Sequence, residues 1–156
     1  MAKHPKWTRR FLSATDFDAV SDAIKAAESR TSAEIRVHLE RRLPRRFFGA
    51  RVDALARARG LFTKLGMHRT ADRHGVLIYL AVDDRTLAVV GDVGIHERVG
   101  DQHWHRVCDG MLEKLRASAP REAIIGAIEG IGRELATHYP RRPDDTNELG
   151  DAVSVS

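Results

Sequence analysis

The chain has 156 residues and a mass of 17.4 kDa; 42% of its residues are hydrophobic and 31% charged, and its formal net charge is +4. That composition excludes a disordered or membrane-embedded chain and fits one domain with an ordinary core. A single cysteine, Cys108, excludes an internal disulfide framework, and the longest apolar run, Gly75 to Val82, is far short of the ~20 residues that cross a bilayer.

The N-terminal stretch MAKHPKWTRRF is charged and lacks an apolar core, so a cytoplasmic protein with no signal peptide or transmembrane helix is expected. Peripheral attachment to an anionic surface is compatible with the sequence pI of about 9.6. A first helix is predicted from a capping-box variant at Thr15 and Asp18, with Phe17, Val20, Ile24 and Ala27 on one face and an end near Arg30. AEIRVHLE alternates: Ile35, Val37 and Leu39 face one way and Arg36, His38 and Glu40 the other, as in a strand with one wet face.

A loop with five arginines and no acid follows, from Arg41 to Arg51. A second helix is then marked by Val52, Leu55, Ala58, Phe62 and Leu65 and closed by Gly66. GVLIYLAV is apolar on both alternations and predicts a strand buried on both faces; DDR turns the chain into a hairpin partner, TLAVV. Trp104, Val107, Cys108, Met111, Leu112 and Leu115 predict a further helix, and Ile124, Ile125, Ile128, Ile131 and Leu135 a last one starting near Pro120.

The order α-β-α-β-β-α-α combines a βαβ unit, which implies a parallel pair with a right-handed crossover, and one antiparallel hairpin strand. A central strand buried on both faces needs helices on both sides. The expected fold is therefore an α/β three-layer α/β/α sandwich with a small mixed sheet, a single domain over residues 1–140. Residues 141–156, polar and acidic, are expected to form a flexible tail.

Three segments carry a resemblance: TSAEIRVHL, RARGLFTKLGMHRTADRHGVLIYLAVDDRTLAVVGDVGI and HYPRRPDDTNEL. Together they resemble the TPM domain family, over roughly residues 16 to 150, most specifically in the stretch from Asp84 and Arg85 to Gly91 and Gly94. LGMHRT and NEL are similar to a bacterial subgroup. The resemblance implies an α/β/α sandwich, divalent-cation binding of the calcium type in some members, and a phosphatase label. Many relatives are exported or membrane-tethered; this sequence shows neither a signal nor an anchor.

The aspartates form two groups, because along a straight strand Asp84 and Asp92 lie about 25 Å apart and cannot share a ligand. At the carboxyl end of the parallel pair, Glu40, Asp53, Asp83 and Asp84 are expected to gather beside Arg41, Arg42, Arg45, Arg46 and Arg85. Clustered carboxylates suit a hard cation such as calcium, while Asp is equally a turn residue and Asp53 an ordinary helix-start acid. The other end brings Ser32, Glu34, Asp92 and a glycine turn, Gly91–Gly94, able to offer backbone N–H groups to an anion.

Elsewhere, HERVG around His96 lacks the second histidine of a zinc helix, and His103 and His105 diverge too far around a helix to share a metal. Both flank the apolar stripe and are expected to be solvated. Cys108 reads as core packing, and the Gly126–Gly130 pair as close packing of a helix. RRLPRRFFGAR pairs arginine forks with Phe47 and Phe48, a combination suited to phosphate or lipid headgroups, or else a solvated loop. No RRM, KH or helix-turn-helix pattern points to sequence-specific nucleic-acid reading.

The leading expectation is a binding or accessory module with a divalent cation at Asp83 and Asp84, the arginine loop meeting an anionic protein or membrane surface. The alternative is a metal-assisted phosphomonoesterase in which Arg45, Arg46 or Arg85 neutralises the phosphate. The sequence offers no DxDx[TV] or CX5R nucleophile for it, so the reading leans against an enzyme.

Overall fold

The structure, a computed structural model, describes residues 4–45, 53–69, 74–143 and 153–156. It is a three-layer α/β/α sandwich. Helix α1 (Ala14–Glu28) leads into β1 (Glu34–Glu40), and α2 (Ala54–Lys64) connects to β2 (Gly75–Ala81). The hairpin strand β3 (Thr86–Gly91) is followed by three helices, α3 (Val93–Val99), α4 (Asp101–Arg116) and α5 (Pro120–His138), and a two-residue strand β4 (Ser154–Val155). A 3-10 helix, Lys6–Arg10, precedes α1.

The sheet runs β3-β2-β1-β4. β1 is parallel to both β2 and β4, and β3 is antiparallel to β2, with Glu34 opposite Gly75 and Val76 opposite Gly91. All seven residues of β2 are buried, as its unbroken apolar run requires. Ile35, Val37, Leu39, Val76, Ile78 and Leu80 meet Val20, Ile24, Ile124, Ile128 and Ile131 from α1 and α5 on one face. Leu77, Tyr79, Ala81 and Ala88 meet Ala58, Leu61 and Phe62 of α2 on the other.

Several boundaries differ from the sequence reading. The capping box of α1 is formed two residues earlier, by Ser13 and Asp16: Asp16 N–H donates to Ser13 Oγ and Ser13 N–H to Asp16 Oδ2, both at 3.0 Å, and the helix ends at Glu28. In α2 the buried stripe is Ala58, Leu61 and Phe62, and Leu55 stands out in solvent; Val52 lies outside the described residues. Gly66, at φ +74°, takes the left-handed cap position expected of it.

The expected glycine turn at 91–94 is instead the end of β3 and the start of α3. Asp92 caps that helix, its Oδ1 accepting from Val93 N–H, and Gly94 lies in the first turn. Gly91 is there for approach: a Cβ would sit 3.0 Å from Trp104 Cζ2 and 3.1 Å from Ile95 Cγ2. The expected packing role of Gly126 also finds a partner, since Lys114 of α4 lies 2.7 Å from where its Cβ would be. At Gly132 α5 comes close to α1, since a Cβ there would meet the Ala27 Cβ at 2.9 Å.

The end of the expected tail lies against the sheet. Val153 is buried and Ser154–Val155 pairs with His38 and Leu39, making β1 an interior strand; residues 144–152 lie outside the described residues.

Candidate functional site

The predicted wet face of β1 is polar but not wet. His38 and Glu40 are buried, because β4 covers one side of them and Arg57 reaches over from α2. Helix α2 packs chiefly on the β2 and β3 side of this face, and the remaining volume is filled by hydrogen bonds in place of apolar packing. Arg57 grips Glu40 with two nitrogens, Nε to Oε1 at 2.9 Å and Nη2 to Oε2 at 2.7 Å. Tyr79 OH donates to Oε1 at 2.8 Å and Ser156 OH to Oε2 at 2.7 Å. Burial alone would raise the Glu40 pKa, but the donors from Arg57, Ser156 and Tyr79 outweigh it and hold it at about 2.

These partners fix the state of His38. A carboxylate only accepts, so Ser156 must donate to Glu40 and use its oxygen to accept from His38 Nε2–H, 2.7 Å away. Burial lowers the His38 pKa to about 4, against the opposing charge of Glu40, so the ring is neutral near pH 7. Its Nδ1 then accepts from Ser154 OH at 2.6 Å. The result is a satisfied relay from Ser154 through His38 and Ser156 to Glu40.

Glu40 is therefore not gathered with the other predicted cation ligands; it is committed to Arg57, Tyr79 and Ser156. Asp53 caps α2, its Oδ1 accepting from Ala56 N–H at 2.8 Å. Replacing Asp53 with Ala is expected to cost about 1 kcal/mol, and with Asn much less, in urea unfolding at neutral pH. Equal loss in both would assign Asp53 a charge-dependent role beyond capping.

The structure does bring Asp83 and Asp84 to the expected end, against the arginine loop. Asp83 Oδ2 accepts from Arg41 Nε at 3.1 Å and from Arg42 Nε at 3.4 Å. Asp84 Oδ2 accepts from the Leu43 backbone N–H at 2.6 Å, and Arg85 turns the hairpin with φ +53° and stays exposed. Arg45 is exposed; Arg46, Phe47 and Phe48 lie outside the described residues. As arranged, the carboxylates predicted for calcium are engaged by guanidinium groups and backbone N–H groups. They do not converge as the cage of oxygens a hard cation takes. Among the described residues, no group of three or more His, Cys, Asp and Glu side chains is placed to hold a metal ion.

What the turn does form is one wall of a cleft of about 340 Å³, lined by Arg41, Val82 and Asp83 on one side and Lys6, Trp7, Arg10 and Phe11 on the other. Among the described residues, three basic side chains face it against one acid, and that acid is shared by Arg41 and Arg42. The site lies outside the carboxyl ends of β1 and β2, where open α/β sheets usually bind ligands. The four N-terminal residues escaped the sequence reading because KHPKWTRRF has neither period. The one available signal was a tryptophan and a phenylalanine among bases.

At the opposite end Asp92 caps α3 through Oδ1 at 2.8 Å, while its buried Oδ2 has no hydrogen-bond partner among the described residues. Glu34 is buried nearby, opposite Gly75, and Ser32 N–H donates to Tyr139 O at 3.0 Å. His96 pairs with Asp101 on the surface. His103, expected in solvent, is half-buried along an α4–α5 groove, and burial lowers its pKa. Cys108 is half-buried against the core and burial pushes its thiol up, as packing and not reactivity would have it.

Among the described residues, no helix is long and apolar enough to cross a membrane. The chain is similar over its whole length to the BA42 protein of the psychrophilic bacterium Bizionia argentinensis, known from an NMR structure, with 35% identity, a TM-score of 0.83 and 100% of each chain covered. The N-terminal domain of the cg2496 protein of Corynebacterium glutamicum shares the fold, with 17% identity, a TM-score of 0.54 and 86% of each chain covered. No curated protein matches. The TPM domain family model matches residues 8–134, and the chain belongs to that family.

Proposed function

We propose that this TPM domain is a binding module that takes an anionic partner at the carboxyl end of its sheet. The observation that carries the reading is the convergence of Lys6, Arg10 and Arg41, from two separate segments, on one cleft whose acid is already paired. Guanidinium groups suit phosphate and carboxylate because their donors lie in a planar fork. The partner on this reading is an anionic ligand or an acidic surface, bound without sequence-specific nucleic-acid contacts.

Amide NMR titration with inorganic pyrophosphate tests this. Shifts are expected at Lys6–Phe11, Arg41 and Val82–Asp83, with affinity at least tenfold weaker in Arg10→Ser/Arg41→Ser, since one charged hydrogen bond contributes roughly 1.5–3 kcal/mol. Shifts scattered over the surface, unchanged in the double variant, would sink the reading.

A calcium-type cation at Asp83 and Asp84 is the second reading, favoured by two adjacent carboxylates at this end. It requires Asp83 to exchange Arg41 and Arg42 for the ion. A calcium titration that shifts Asp83–Arg85, and fails to do so in Asp84→Asn, would support it. The phosphomonoesterase alternative depends on a divalent cation there, so the absence of a response to calcium, magnesium and zinc alike removes both.

A further inference from the structure

We infer that the cleft takes a phosphate carried on a flat aromatic ring, the chemistry of a nucleoside phosphate. This rests on the anion-binding reading of the same cleft and adds its specificity. Phosphate recognition alone needs only Lys6, Arg10 and Arg41; Trp7 and Phe11, half-buried aromatic side chains that pack on the edge of the core, also line the same cleft.

The local structure shows how those side chains reach the cleft from the edge of the core. Thr8 is fully buried, its Oγ1 donating to Pro5 O at 2.6 Å, and Leu12 is buried with its N–H on Thr8 O at 2.8 Å. With Thr8 and Leu12 anchored inward, Lys6, Trp7 and Arg10 of the 3-10 helix and Phe11, its C-cap residue, line the cleft. Trp7 and Arg10 are three residues apart, one turn of such a helix, so they eclipse each other on one side. An indole beside a guanidinium offers a stacking face and a phosphate donor within one ligand's length. A volume of about 340 Å³ lies at the small end of ordinary ligand sites, suited to one small molecule. Across the cleft, Asp83 is held by both Arg41 and Arg42, which leaves the basic side chains in excess where the phosphate would lie.

Isothermal titration of the whole chain with pyrophosphate, adenosine and ADP tests this, with tryptophan fluorescence alongside. The chain has two tryptophans, and Trp104 is buried, so quenching by a stacked base reports Trp7. ADP is expected to bind at least tenfold tighter than pyrophosphate and to quench fluorescence, and adenosine alone to bind weakly. In Trp7→Leu the ADP affinity should fall to that of pyrophosphate while pyrophosphate binding stays unchanged. Trp7→Phe, which keeps a ring and the packing, should retain most of the difference. If ADP and pyrophosphate bind equally to the wild type, the ring specificity is wrong and the anion site stands. If neither binds at 10-fold above a ~1 mM dissociation constant, both readings fall.

Discussion

Replacing Glu40 with alanine is expected to destabilise the domain by about 3–5 kcal/mol at neutral pH, a large share of the ~5–15 kcal/mol that a domain of this kind has. The cost comes less from the lost ion pair than from what is stranded. Arg57, Tyr79 OH and Ser156 OH all donate to this carboxylate, and Arg57 would keep a charge at a half-buried position with nothing opposite it. Arg57→Met should cost a comparable amount. The pair removed together, Glu40→Ala with Arg57→Met, should cost clearly less than the sum of the two single losses, because it leaves no unpaired charge. Urea unfolding of the four proteins measures the coupling. A Glu40→Ala loss below 1 kcal/mol would mean that water reaches this face and the network is peripheral.

Acid should release the same network in two stages. His38 has a folded pKa of about 4 against an ordinary 6.5, so between those values the unfolded chain takes up a proton that the folded one refuses. Stability is full above pH 6.5 and falls as pH drops to 4, by on the order of 3 kcal/mol. Glu40, held at about 2 against an ordinary 4.5, adds a second loss that begins near pH 4.5 and continues down to 2. In His38→Gln the upper window should flatten and the lower one persist. Stability that is constant from pH 7 to 4.5 in the wild type would contradict the burial of a neutral His38. Amide exchange along Ser154–Ser156 should rise as His38 protonates, since its neutral Nδ1 accepts from Ser154.

Most of the fold was legible in the chain, wherever one local rule acts alone. The unbroken apolar run of β2, the DDR hairpin, the isoleucine ladder of α5 and the glycine at 66 each permit one structure, whatever packs around them. Where two rules competed, the reading slipped by a turn or missed an element. α3 is seven residues long, too short for its periodicity to stand out, and Gly94 within it suggested a turn. β4 has two residues, below any pattern length, and exists only because β1 offers it a free edge.

For the candidate cleft, the sequence pointed to the carboxyl end of the sheet and, of the residues that line it, to Arg41 and Asp83. Arg41, Arg42, Asp83 and Asp84 do come together there. Glu40 and Asp53, expected beside them, have Arg57 and the start of α2 as partners instead, because a carboxylate at a strand end or a helix start reads alike whether it binds an ion, an arginine or a backbone N–H. Only the tertiary structure chooses among those partners.

The division has a physical basis. Hydrophobic periodicity and turn chemistry act between residues a few positions apart, so the sequence by itself determined the layers, the strand types and the order of helices. Partnership between polar groups depends on distances across the fold. Ser154 and Ser156 stand 116 and 118 positions from His38 and reach it only through β4, as Arg57 reaches Glu40 only through α2 and the N-terminal 3-10 helix reaches Arg41 only through the packed core. The buried relay and the cleft were decided there, where the fold made distant polar side chains neighbours and removed the water that would otherwise have satisfied them.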